Sequence, residues 1–114
     1  MVLKDYPPER AALARIRRDR PACAERWELY LFGIELANAY SELTQADEQR
    51  SRFEATARAR RKEGSDVYAL DEPFLEALER GVPDCGGIAL GIDRLVLLLT
   101  GAESLDDILP FREG

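Results

Sequence analysis

Residues 26–42 alternate with a period of two: Trp27, Leu29 and Leu31 interleave with Glu28, Tyr30 and Phe32, and Gly33 offers a tight turn into a second extended run. The pattern predicts a β-hairpin centred near Gly33. A second period-two stretch, residues 86–92, sets Gly87, Ala89 and Gly91 against Ile88, Leu90 and Ile92, so one face of that strand is almost bare of side chains. It passes without a loop into Leu95, Val96, Leu97, Leu98 and Leu99, apolar on every side, which predicts a helix buried in a core and stopped at Thr100-Gly101.

The remaining elements are weaker in pattern. Residues 2–6 suit a short strand stopped by Pro7-Pro8, and residues 9–20 read equally as helix or as an irregular extended piece between prolines. Thr44 followed by Asp47 predicts a helix start, Gly64 a stop, and the helix between them has a narrow apolar seam of Ala46, Phe53 and Ala57. On it Glu48 precedes Arg52, and Glu54 precedes Arg58, at i,i+4, the order that favours ion pairing on a surface helix. Asp71 caps a further helix over residues 72–80, with Phe74, Leu75 and Leu78 inward and Gly81 and Pro83 beyond its end. In the tail Leu105, Ile108, Leu109 and Phe111 are expected to anchor the chain.

Composition narrows the chemistry. A chain of 114 residues holds at most one domain, and 46% hydrophobic with 33% charged residues is globular usage. The net charge of -6 disfavours a general nucleic-acid surface; the arginines at 10, 15, 17, 18 and 20 read as a solvated face, and the cluster Arg58, Arg60, Arg61 and Lys62 suits the C-terminal dipole of its helix. Cys23 and Cys85 lack metal-ligand spacing, and the first residues lack an apolar run of signal-peptide length, which together predict reduced thiols in a cytoplasmic protein, with Cys85 a buried packing residue. Histidine is absent, which excludes histidine triads and histidine zinc sites. No apolar run is long enough to span a bilayer.

Two groups of residues then stand out. Asp93 and Arg94 are charges at the junction of an apolar strand and an apolar helix, readable as a structural ion pair or as an arginine beside a flat platform for a planar, phosphate-bearing ligand. Glu28, Glu35, Asn38 and Glu42 are embedded among aromatic and aliphatic residues. Strand parity forbids Glu35 and Asn38 from sharing a face unless a bulge or turn intervenes.

The string Gly87-Ile88-Ala89-Leu90-Gly91-Ile92-Asp93-Arg94 resembles motif 3 of the class II aminoacyl-tRNA synthetases, and Gly81-Val82-Pro83-Asp84-Cys85-Gly86 extends the resemblance to the lysyl branch, closest to its stand-alone paralogues that ligate lysine to elongation factor P. Arg26-Trp27-Glu28 and residues 35–43 resemble the lysyl-branch strands beneath the active site. The likeness runs from about residue 3 to residue 111. It implies an α+β fold, the C-terminal part of the class II antiparallel sheet with flanking helices, with residues 1–114 forming a single partial domain.

It further implies ATP and Mg2+ as cofactors, with Glu28 and Glu35 as metal ligands. Arg94 would be the catalytic arginine on the terminal phosphates, and Gly91 would give close approach to adenine or ribose. Glu35, Asn38, Glu42 and Ala89 would form the lysine or β-lysine site. The implied reaction is adenylate formation and transfer to a lysine of elongation factor P, or, alternatively, to tRNA-Lys; a non-catalytic substrate-binding or regulatory half-domain is a third reading. Motifs 1 and 2 have no counterpart here, so the isolated chain is expected to be inactive and to form a homodimer or otherwise self-associate.

Overall fold

The computed structural model describes residues 1–111. Four strands, β1 (Val2–Lys4), β2 (Arg26–Leu31), β3 (Ile34–Ser41) and β4 (Gly86–Leu90), form one antiparallel sheet in chain order, β1-β2-β3-β4. Three helices, α1 (Ala46–Lys62), α2 (Glu72–Glu79) and α3 (Ile92–Thr100), make the fold α+β as expected. The first strand stops before the prolines, and residues 9–20 are irregular apart from a single 3-10 turn at Pro8–Arg10.

The hairpin turns through Phe32 and Gly33, both with positive φ (49° and 82°), the pairing a two-residue type I′ connection requires. Across it the register runs Leu31 to Ile34 and Tyr30 to Glu35, then Leu29 to Ala37 and Glu28 to Asn38. Leu36 is therefore an extra residue on β3, a β-bulge. The bulge flips parity between Glu35 and Asn38, so both share the face of Tyr30 and Glu28. On that face run two cross-strand rows, Leu3-Glu28-Asn38-Ala89 and Arg26-Tyr40-Gly87. Trp27, Ala39 and Ile88 lie on the other.

Away from the sheet, α1 and α2 pack on each other, with Phe53 and Phe74 rings 6.1 Å apart and Arg50 donating to both Glu72 carboxylate oxygens at 2.9 and 2.7 Å. Both predicted i,i+4 ion pairs on α1 form. Asp71 caps α2 by accepting from the Phe74 N–H at 3.0 Å. Thr44 does not cap α1: the cap position is Gln45, and the Thr44 hydroxyl accepts instead from the Gln45 side-chain amide.

Several burial expectations fail for one reason. Helix α3 has no buried residue, and Ile92 and Leu99 are 59% and 77% exposed, because α3 rests on β3 and on the C-terminal turn with nothing over its remaining sides. Strand β4, one of the two edge strands of the sheet, is exposed along its length. Cys85, just before it, is exposed too, whereas Cys23 is buried; both are free thiols. The expected tail anchors Leu105, Leu109 and Phe111 are exposed. The accessible surface of 8327 Å² compares with about 6,300 Å² for a self-contained chain of this mass. The radius of gyration is 17.2 Å, where about 13 Å is usual for this length. The polar face of the sheet is thus built, while the apolar flank lacks cover.

Candidate active site

Glu28 is the most constrained residue of the face, 7% exposed in the middle of β2. Its Oε2 accepts from the Tyr6 hydroxyl at 2.5 Å and the Tyr30 hydroxyl at 2.7 Å, and its Oε1 accepts from Arg26 Nη2 at 2.6 Å. These bonds, Tyr6 foremost, outweigh burial and hold the Glu28 carboxyl below the usual carboxylate range. The reciprocal effect shows on Tyr6, whose hydroxyl is pushed up to about 12, by burial first and by Glu28 second. A carboxylate offers roughly four lone-pair sites. Three are filled, which leaves one on Oε1.

Glu35 stands across from Tyr30 at the near side of the bulge, and Glu42 lies just past the end of β3. Among the described residues neither carboxylate accepts a hydrogen bond or joins an ion pair. Glu42 reaches over Gly87, where a Cβ would stand 2.5 Å from its Oε1, so glycine at 87 is what makes room for it. Asn38, opposite Ala89, accepts at its Oδ1 from Arg26 Nε at 3.3 Å. A recess of ≈ 250 Å³ is lined by Asn38, Tyr40, Glu42, Gly87, Ile88 and Ala89.

Arg94 sits in the first turn of α3 and donates from Nη1 to the Glu35 carbonyl at 2.7 Å. Its side chain lies against Gly91, where a Cβ would meet the Arg94 Cδ at 3.2 Å. The Gly91 N–H donates to the carbonyl of Leu36, the bulge residue. The bulge thereby fixes the strand-to-helix junction as well as the carboxylate parity. Asp93 is exposed and is not the partner of Arg94.

The expected residues therefore fall into two neighbourhoods of one face. Asn38, Glu42 and Ala89 share the recess, while Glu28, Glu35, Gly91 and Arg94 lie around Tyr30 and the bulge. Glu28 is kept ionised, Glu35 is an open carboxylate, and no group of three or more metal-binding side chains exists among the described residues. This donor set suits a hard cation that draws its other oxygens from phosphates and water.

From the sequence Tyr6 and Tyr30 carry no site role, and Arg26 and Gly87 enter only within the strings that resemble the lysyl branch, with no role of their own. Arg26 and Tyr30 flank Glu28 at two-residue spacing, a signal that strand parity carries; Tyr6 is reached only through the pairing of β1 with β2. The arginines of residues 15–17 prove structural. Arg15 bonds Glu25 at 2.9 Å and lies 3.3 Å from Asp84, and Arg17 bonds Asp19 at 2.8 Å and Asp5 at 3.1 Å.

The family described as tRNA synthetases class II (D, K and N) matches residues 1–113. An elongation factor P--(R)-beta-lysine ligase from Yersinia enterocolitica is 48% identical over 109 residues, 96% of this chain and 34% of the relative. Proteins of the same name from Avibacterium paragallinarum and Salmonella dublin are 45% and 50% identical over 106 residues each, 93% of this chain and 33% of each relative. The chain thus spans about a third of the length of the curated relatives it matches. Among the described residues no helix is long and apolar enough to cross a membrane.

Proposed function

This chain belongs to the class II tRNA synthetases of the D, K and N type, and from that premise we propose that it is the part of an ATP-dependent lysine-activating ligase that holds lysine, the nucleotide and the motif 3 arginine. The observation that carries the reading is the bulge at Leu36. It puts Glu35 on the same face as Glu28, Asn38 and Ala89 and, through the Gly91 N–H, seats Arg94 beside them. The names of the relatives favour elongation factor P over tRNA-Lys as acceptor and β-lysine among the lysine isomers.

In the proposed reaction the lysine carboxylate attacks the α-phosphorus of ATP and pyrophosphate leaves; a lysine amine of elongation factor P then attacks the carbonyl carbon of the adenylate, taking the aminoacyl group as an amide while AMP and a proton depart. The chain's residues act by position and charge. Glu42 receives the cationic end of the substrate in the recess through a charge-assisted hydrogen bond, and Ala89 limits its floor. Arg94 contacts the terminal phosphates, and Gly91 lets the nucleotide approach the strand. Mg2+ held by Glu28 and Glu35 would neutralise phosphate charge. Tyr6, Tyr30 and Arg26 keep Glu28 deprotonated for that role.

The test is a chimera in which this chain replaces the matching third of the Yersinia enterocolitica ligase. It should catalyse (R)-β-lysine-dependent ATP–pyrophosphate exchange, and Arg94→Ala should lower apparent ATP affinity by at least tenfold. Exchange unaffected by Arg94→Ala would refute the phosphate assignment, and acylation of tRNA-Lys in preference to elongation factor P would refute the acceptor. The 114 residues alone should match a no-protein blank, because the phosphate is gripped from one side only. They should also run as a dimer or larger in light scattering, since β4 presents an open edge and α3 an uncovered apolar flank.

A further inference from the structure

Arg26 has every guanidinium nitrogen committed. Nη1 donates to the Arg10 carbonyl at 2.6 Å, Nη2 to Glu28 Oε1 at 2.6 Å and Nε to Asn38 Oδ1 at 3.3 Å, while the guanidinium carbon lies 4.7 Å from the Tyr6 ring centroid. The side chain is 16% exposed. One planar group thus touches both neighbourhoods of the face. A guanidinium only donates, so the Asn38 atom turned toward it must be the amide oxygen. The Asn38 NH2, a pure donor, has no acceptor among the described residues and is the group left for a ligand in the recess that Asn38 lines together with the Glu42 carboxylate, a pure acceptor.

We propose that Arg26 is a positioning residue that sets the polarity of the recess: by holding the Asn38 amide oxygen, it makes Asn38 a donor for the substrate carboxylate and leaves Glu42 alone to take the ammonium. The inference rests on the lysine-binding reading of the recess. Without Arg26 the amide is free to turn its oxygen outward, and an oxygen facing a carboxylate repels it. Lysine cannot replace arginine here. A single ammonium is a point donor on a flexible stem and does not reach Glu28 and Asn38 with a fixed fork.

The experiment is NMR titration of the 15N-labelled chain with lysine and with 1,5-diaminopentane, which keeps both ammonium groups and lacks the carboxylate. Unmodified chain should bind lysine at least tenfold better than the diamine, with the Asn38 side-chain NH2 cross-peaks moving only for lysine. Arg26→Lys should bring the two ligands to within about twofold while leaving the diamine dissociation constant unchanged. A preference that falls from tenfold to twofold has lost a factor of about five, ~1 kcal/mol. Equal weakening of both ligands would mean that Arg26 only supports the fold, and an undiminished lysine preference would mean that it does not orient Asn38; either overturns the proposal. Absence of any lysine-induced shift at Asn38, Glu42 and Ala89 in the unmodified chain would instead overturn the lysine reading, and the proposal with it. If Arg26→Lys loses the dispersed spectrum of a folded chain, Asn38→Asp gives the same decision with Arg26 in place. It must lose the lysine preference and keep the diamine, and retention of the preference would overturn the proposal.

Discussion

Replacing Glu28 by Gln tests whether the Tyr6-Arg26-Tyr30 cluster depends on charge. The substitution keeps shape and volume at a position 7% exposed, so no cavity forms. Glutamine keeps one oxygen for the two tyrosine hydroxyls, whose bonds fall from charge-assisted, about 1.5–3 kcal/mol, to neutral, about 0.5–1.5 kcal/mol, and turns toward the still-charged Arg26 an NH2 that cannot accept, so the third bond is lost. That is about 1 kcal/mol for each tyrosine bond and more for the lost one, at least about 3 kcal/mol in all, within the ~3–5 kcal/mol seen when a buried pair loses one member. For a chain of this size the loss is a fall in Tm of at least roughly 12 °C. Urea unfolding followed by fluorescence of Trp27, the one tryptophan, measures it directly. The sign with pH is fixed as well. Glu28 has a depressed pKa in the folded chain, so its contribution is present above the ordinary glutamate range, ~4.3, and is lost as pH falls through the lower folded value. Glu28→Gln should therefore flatten the acid limb of stability without abolishing it, because Glu25 and Glu72, held low by Arg15 and Arg50, remain. A loss under about 1 kcal/mol, or an acid limb of unchanged slope, would refute the argument.

Other consequences are simpler to read. Phe32→Asn should stabilise the chain by about 0.5–1 kcal/mol in the same urea assay, since Phe32 is 94% exposed and holds φ 49°, a conformation Asn tolerates better; a destabilised variant would contradict the turn assignment. Gly87→Ala should leave Tm within a few degrees and abolish lysine-induced NMR shifts, because the new methyl displaces the Glu42 carboxylate while the flexible side chain moves aside; intact lysine binding would remove Glu42 from the site. On the alkaline side, Tyr6 has a raised pKa of about 12, so its contribution is complete below the ordinary tyrosine value of ~10 and lost as pH rises toward 12. Tyr6→Phe should flatten that limb without abolishing it, because Tyr30, bonded to Glu28, and Tyr40, desolvated by burial, are raised as well; an alkaline limb of unchanged slope would assign it to those groups.

The elements legible in the sequence were those with a clean local signal. The alternation around Trp27 gave the hairpin, Asp71 and Gly81 bracketed α2, and the bare strand before Arg94 located the strand-to-helix junction. The bulge was needed by parity but could not be placed, because Leu36 looks like any other strand residue; only the register of β2 against β3 singles it out. Tyr6 escaped for a similar reason, being brought to Glu28 by a strand pairing and not by spacing. Burial was misjudged at α3, Cys85 and the tail because hydrophobic pattern reports which side chains favour cover, whereas exposure depends on whether the chain supplies it. Of the site, the residue types were readable and their division between recess and bulge was not.

The claim at the centre of this account is that Glu28, Glu35, Gly91 and Arg94 form the nucleotide-metal face. Paramagnetic broadening of the 15N-labelled chain by Mn2+ with ATP tests it most directly, because Mn2+ replaces Mg2+ on oxygen ligands and bleaches only nearby amides. Resonances of residues 28, 35, 36, 91 and 94 should broaden first, ATP should be required, and Glu35→Gln should suppress the effect. Broadening centred on the acidic residues of α1 and α2, or broadening of the sheet that persists in Glu35→Gln, would contradict the assignment.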